Sequence, residues 1–346
     1  MTPAAAWQSA QGLGEERARD VHGAVRAALA IQAQDTRSSR LGVRARSEGL
    51  TAQDVVEACS AERSVVRTWA MRGTLHMVCA EDVRWMTALT GPVTEARDAR
   101  RRAQLGLGAA LCERILEAMP GILADRGPLV RAELMEALIA RGLRIDPSGQ
   151  APAHVVLLAA ARGIACRGPD RPDEEPTYVR LDDWIAPGRA PERDAALAEL
   201  ARRFSRAYGP ADARDLAYWS GLPAADARRA WSLADAPAAS AAADAPTPTR
   251  LLPAFDGHLL GHRDRTPLVP PAHAGKLTSG SWILPSVLAR GRVAATWKPI
   301  RTRGRLRVVV SPFARLPPGS IAGLRDEAAD LGRFLGLAAD LEIAEG

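Results

Sequence analysis

Three helical restarts at near-equal spacing constrain this chain more than any other feature. Thr51, Leu129 and Ala211 open short helices that lie 78 and 82 residues apart. In the first unit Thr51-Ala52-Gln53-Asp54 reads as a capping box, with Val55, Val56 and Cys59 on the inner side. A second helix carrying Val65, Val66 and Trp69 is expected next, then a strand over residues 74–78. In the second unit Leu111, Ile115, Met119 and Leu123 mark an amphipathic helix, and Gly127-Pro128 restarts the chain. Leu134 and Leu138 fall on the next helix and Val155, Val156 and Leu158 on another, which stops at Gly163. Strands follow at 164–167 and 178–181. The third unit begins with Leu197, Leu200, Ala201, Phe204 and Tyr208, restarts at Gly209-Pro210, and continues through Leu216 and Trp219. Helix, short helix, helix and β-wing is the plan of a winged helix, and three copies make a tandem array. The competing reading is that many helical proteins restart at Gly-Pro.

Residues 234–249 are a low-complexity Ala/Pro/Asp run, read as a connection. Beyond it, short apolar or alternating runs around Leu251, Trp282, Val293 and Leu306 are separated by Gly and Pro, which points to a small β-unit. A helix over 321–337 is expected to close the chain. The expected fold class is α+β, with winged-helix units at 1–95, 96–190 and 191–249 and a β-barrel-like unit at 250–346.

Composition excludes several function classes. No stretch reaches the roughly 18–20 uninterrupted apolar residues of a membrane helix, and no signal peptide is visible. The four cysteines, at 59, 79, 112 and 166, are scattered, so a disulfide frame and a clustered zinc site are not expected. A reducing cytoplasm fits them. Of the six histidines only His258 and His262 are close in sequence, and no further ligand completes a metal set. Phosphate-loop, dinucleotide-binding and hydrolase-elbow motifs are absent. The net charge is +6, and all basic residues but Lys276 and Lys298 are arginine. Arginines cluster at 37–46, at 97–102 and around Gly304, where Arg301, Arg303, Arg305 and Arg307 alternate. On a hairpin the last set would crowd onto one face or its tip and could reach nucleic-acid phosphates; a solvated sheet face is the alternative.

Three segments carry a resemblance. Residues 29–46 read Leu-Ala-Ile-Gln-Ala-Gln-Asp-Thr and end Arg-Ala-Arg; residues 67–78 read Arg-Thr-Trp-Ala-Met-Arg-Gly-Thr-Leu-His-Met-Val; residues 251–265 read Leu-Leu-Pro-Ala-Phe-Asp, then Gly-His-Arg-Asp-Arg at 261–265. Together they resemble the AlkZ-type winged-helix DNA glycosylases, from about residue 15 onward. The resemblance implies tandem winged helices in a C-shape with a β-barrel. It implies excision of alkylated purines, including bulky natural-product adducts and interstrand crosslinks, by a cytoplasmic, nucleoid-associated enzyme in DNA repair or self-resistance. The family's catalytic Gln-x-Gln matches Gln32 and Gln34, whereas a sister branch has Gln-x-Asp. Double-stranded DNA is the expected partner of a monomer that requires no metal or cofactor. Arg44, Arg46, Arg72, Thr74, His76, Arg101, Arg301, Arg303 and Arg305 are expected on the DNA. His258, His262 and Arg263 are expected at the lesion channel, with plain packing the alternative for His76 and the two C-terminal histidines.

Two amides can serve such chemistry because a purine alkylated on its imidazole ring is already cationic and leaves without protonation. What remains is to hold a water and to soften the oxocarbenium charge. Side chains at i and i+2 share a side only on extended backbone, so residues 32–34 are expected to leave helical geometry if both glutamines reach one water. An open channel suits a bulky adduct better than a tight flipping pocket. Rival classes are a non-catalytic winged-helix regulator and a drug-sequestering protein.

Overall fold

In the computed structural model, which describes residues 3–186, 188, 190–235, 247–280 and 282–344, the chain is a mixed α+β protein built around two larger sheets. Among these residues no helix is long and apolar enough to cross a membrane.

Sequence chemistry explains most elements. Thr51 caps the helix Ala52–Cys59, its hydroxyl accepting from Asp54 N while Asp54 accepts from Thr51 N at 2.6 Å. The amphipathic helices fall at Ala109–Arg126, Arg131–Ala140, Ala151–Ala161 and Arg193–Tyr208, and Leu197, Leu200, Phe204 and Tyr208 are all buried on the last. Helices Ala213–Ser220 and Ala224–Ala234 complete the third unit. The run expected as a second helix in the first unit is instead the strand Val65–Trp69, antiparallel to Leu75–Cys79. Only a short span separates Ser64 from Ala70, and Val-Val-Arg-Thr-Trp is rich in β-branched and aromatic residues, so pairing outweighs helix formation.

That hairpin joins the second unit's hairpin, Ala165–Asp170 with Pro176–Arg180. One six-stranded sheet results, in the order Ile31–Gln32, Leu75–Cys79, Val65–Trp69, Ala165–Asp170, Pro176–Arg180, Leu129–Val130. The junction is Arg67 opposite Arg167, and the Arg67 guanidinium clamps Asp170 at 2.7 and 2.9 Å and the Gly168 carbonyl at 2.7 Å. The third unit contributes no strand to this sheet among the described residues.

The second sheet runs Ala338–Ile343, Arg305–Pro312, Arg292–Thr302, Ser286–Ala289, Arg250–Leu252. Its outer strands do not pair, so the sheet is open and not a closed barrel. Val293, Ala295 and Trp297, with Leu306, Val308 and Val310, alternate inward, and helix Ser320–Leu335 packs Leu324, Ala328 and Leu331 against this unit. This helix does not close the chain as expected: Gly336, at φ +67°, turns it into a strand that pairs parallel with Arg305–Pro312. The run at 234–249 falls largely on 236–246, outside the described residues.

Candidate functional site

Helix Val21–Ala27 ends at Ala28, and Leu29, at φ +64°, turns the chain. The chain then runs extended: Ile31 pairs with Met77, Gln32 with His76, and Ala33 N donates to Leu75 O at 2.7 Å. Ile31 and Ala33 point into the core, whereas Gln32 is half-buried and Gln34 exposed. The alternation in burial leaves both glutamines away from the core that takes Ile31 and Ala33. Asp35 is committed elsewhere, since its carboxylate caps helix Thr36–Ala45 through Ser38 N at 2.6 Å.

The turn Met71–Gly73 forms the wall behind Gln32. Arg72 has φ +58° and Gly73 φ +71°; a Cβ on Gly73 would stand 3.2 Å from Thr94 Cγ2. One Arg72 nitrogen donates to Gln32 Oε1 at 3.2 Å and the other to the Trp219 carbonyl in the third unit. Gly221, at φ +77°, leaves room for this, because a Cβ there would lie 3.1 Å from Arg72 Cα. Arg97 donates to Gly221 O at 3.2 Å, so one member of the 97–102 run also reaches this junction. Thr74 donates its hydroxyl to Met71 O at 3.0 Å, which makes it a turn-former.

His76 is core, not channel: it is buried, and its Nδ1 lies 2.8 Å from Thr74 O. A carbonyl only accepts, so Nδ1 carries the proton and Nε2 the lone pair. Burial, assisted by the Arg72 charge, pushes its pKa down to about 3. His258 is also buried and pushed to about 3 by burial, against the opposing pull of Asp256. Both histidines protonate near 6.5 once unfolded, and only near 3 when folded. The unfolded chain therefore takes up protons first, and stability is lost as pH falls below about 6.5. At about 1.4 kcal/mol per unit for each group, we expect the two to cost about 3 kcal/mol by pH 5.5. Urea unfolding at pH 7.5 and 5.5, with and without His258→Gln, measures this.

Four more expected contacts change role. Arg44 and Arg46, each 1% exposed, cannot meet phosphates. Arg44 binds Glu327 at 2.7 Å and Leu251 O at 2.8 Å; Arg46 binds Asp256 at 2.7 and 2.8 Å and Gln11 at 3.0 Å. Burial alone would raise the Asp256 carboxyl, but the Arg46 guanidinium holds it below the ordinary range. The helix that starts beside Gln34 is thus bolted at its far end to the C-terminal unit. His258 and His262 belong to that joint and not to a channel. His262 stacks on Trp7 with centroids 3.7 Å apart and its Nε2 donates to Tyr208 O at 2.7 Å. A Cβ on Gly261 would fall 2.1 Å from Tyr208 Cδ1, so glycine there permits the close approach. The Arg263 side chain is exposed beside this joint.

Arg101, Arg301, Arg303 and Arg305 are exposed. Of the two placements expected for the hairpin arginines, one face or the tip, the structure gives the tip: Arg303 is in the turn and Arg301 and Arg305 flank it. Thr302 pairs with Arg305 and Arg301 with Leu306 across a two-residue turn containing Gly304 at φ +80°, which shifts the alternation. Arg305 and Arg307 share one face and pair with Asp340 and Glu342 of the neighbouring strand at 2.8 and 3.0 Å. Arg301 is on the other face, and neither it nor Arg303 has an ion pair among the described residues. Arg301 also lines a cleft of about 580 Å³ with Arg37, Arg40, Glu174, Pro299 and Leu335.

One cluster escaped the sequence reading because His22 lies 57 positions from Cys79. His22, Cys79 and Glu81 place one donor atom each within 4.8 Å of one another. His22 Nε2 already lies 2.8 Å from Glu81, Arg26 donates to the same carboxylate at 3.3 Å, and burial pushes the Cys79 thiol up to about 12. An adjacent guanidinium and a protonated thiol suit an ion pair better than a bound cation.

A family model described as DNA glycosylase AlkZ-like matches residues 25–334. An interstrand DNA cross-link repair glycosylase of Streptomyces sahachiroi is 28% identical over 309 residues, covering 80% of this chain and 81% of its own. The solved structure of the Streptomyces sahachiroi DNA glycosylase AlkZ is similar with a TM-score of 0.81 at 26% identity, covering 99% of this chain and 98% of that one.

Proposed function

The chain belongs to the AlkZ-like DNA glycosylase family, and from that premise we propose that it hydrolyses the bond between deoxyribose and a cationic alkylated purine in duplex DNA. Bulky natural-product adducts and interstrand crosslinks fall within this class, in repair or in self-resistance.

The observation that carries the specificity is what faces Gln32 among the described residues: Arg72 on its amide oxygen and His76 across the ladder. Arg72 keeps its charge, His76 stays neutral well below physiological pH, and the Asp35 carboxylate next to Gln34 is taken up in capping Ser38 N. None of these can protonate a departing neutral base, so the base must arrive activated. The water oxygen then bonds to C1′ and the bond from C1′ to the purine nitrogen breaks. Its electron pair neutralises the purinium ring, and the water's proton passes to solvent. Gln32 and Gln34 hold the participants, and no metal or cofactor is required.

In this reading residues 1–95, 96–190 and 191–249 are winged-helix units in a C-shaped arrangement, followed by the open-sheet unit at 250–346. The first two hairpins are the wings that merge into the six-stranded sheet. Arg101, Arg301 and Arg303 meet the DNA backbone, with Arg305 beside them, and the protein acts as a monomer on the chromosome in the cytoplasm.

Incubation with duplex carrying a 7-alkylguanine is expected to give free modified base and an abasic strand. A gel shift without product would instead identify a DNA-binding regulator, and tight binding of the free alkylating agent without DNA a sequestering protein.

A further inference from the structure

We propose that Arg72 is a positioning residue that gives the two glutamines unlike tasks: it holds the Gln32 amide by its oxygen, so that Gln32 presents N–H donors to the departing base while Gln34 supplies the oxygen that holds the water. This rests on the glycosylase reading above and deepens it.

An amide's oxygen and nitrogen can exchange places unless a neighbour decides between them. Here the neighbour decides. A guanidinium has five N–H groups and no lone pair, so the Gln32 atom facing it at 3.2 Å is the oxygen. Arg72 has little freedom to let go. Its second nitrogen is bonded to the Trp219 carbonyl, its backbone has φ +58°, and Gly221 packs against its Cα. The Gln32 backbone is itself fixed in the ladder opposite His76. The Gln32 Nε2 group has no partner among the described residues. A positive charge on the oxygen side of an amide also drains density from its nitrogen, which strengthens those donors.

Gln34 differs in each respect. It is exposed and its side chain makes no hydrogen bond among the described residues, so either end of its amide can turn to a ligand. A water attacking C1′ must aim a lone pair at carbon, and the group that holds it must accept its hydrogens. An N–H cannot do that, whereas the Gln34 oxygen can. The Gln32 N–H groups match the opposite partner, a purine ring atom that gains electron density as its bond to C1′ breaks.

Carboxylate substitution separates the two tasks, because a carboxylate only accepts. Gln32→Glu keeps the contact to Arg72 and deletes the donor; Gln34→Glu keeps an acceptor. Both add one negative charge, so general repulsion of DNA cancels in their ratio. In single-turnover release of 7-alkylguanine from duplex, we expect Gln32→Glu to lose about 100-fold and Gln34→Glu about tenfold at most. Arg72→Lys, which lacks the flat fork, is expected to lose about tenfold in rate with duplex affinity unchanged, and in that background the two glutamate variants should converge. Equal losses in the parent background, or a larger loss at position 34, would overturn the assignment. If Arg72→Lys fails to fold, the glutamate pair alone decides. Parent activity is measured first, so a parent that releases no base refutes the glycosylase reading and not this division of roles.

Discussion

Gln34→Ala is expected to lower base release by about 100- to 1,000-fold while duplex affinity stays within about twofold of the parent. The side chain is exposed and bonds to nothing else among the described residues, so its removal leaves no buried group unpaired. The melting temperature should therefore not move. A deletion this clean makes it the sharpest test of the proposed role of Gln34. Single-turnover release, fluorescence anisotropy with lesion duplex and thermal unfolding give the three quantities. Unchanged turnover would remove Gln34 from the mechanism.

Arg46→Ala is expected to act on stability and not on DNA. Arg46 and Asp256 are almost completely enclosed, and deleting one partner strands the other charge, a loss of about 3–5 kcal/mol. Replacing both, as Arg46→Met with Asp256→Leu, should recover most of that loss, because the desolvation of two charges is relieved together. Urea unfolding measures both variants. Had Arg46 touched a phosphate, as its place in an arginine cluster suggests, the salt dependence of binding would fall by about one ion and stability would hold. The two outcomes are opposite, so one pair of experiments decides the role.

The legibility of the sequence followed the range of the interactions concerned. Local signals carried well: the capping box at Thr51, the helical stripe through Leu197 and Phe204, and the departure from helix before Gln32 all depend on neighbours a few residues away. The helix expected around Val65 failed because pairing with Leu75–Cys79, set by a turn at Met71–Gly73, outweighed periodicity. For the hairpin arginines the sequence left a shared face and the tip both open, and the two-residue connection, which decides which side chains lie opposite, put Arg301 on the other face from Arg305 and Arg307. Arg44 and Arg46 looked like surface charge because their acids, Glu327 and Asp256, lie more than 200 positions away in the chain. Arg72 stood in the segment at residues 67–78 as an expected DNA contact; only the fold shows that it grips Gln32 and reaches the third unit.

The continuous sheet across the first two units has a consequence for how this protein can be handled. Each unit supplies the other's missing neighbour, since Val65–Trp69 and Ala165–Asp170 would otherwise be bare borders. A fragment cut between them would carry unsatisfied amides along a flat rim, an invitation to self-association. The two units are therefore handled best as one piece, joined at Arg67 opposite Arg167 and by the Arg67 clamp on Asp170.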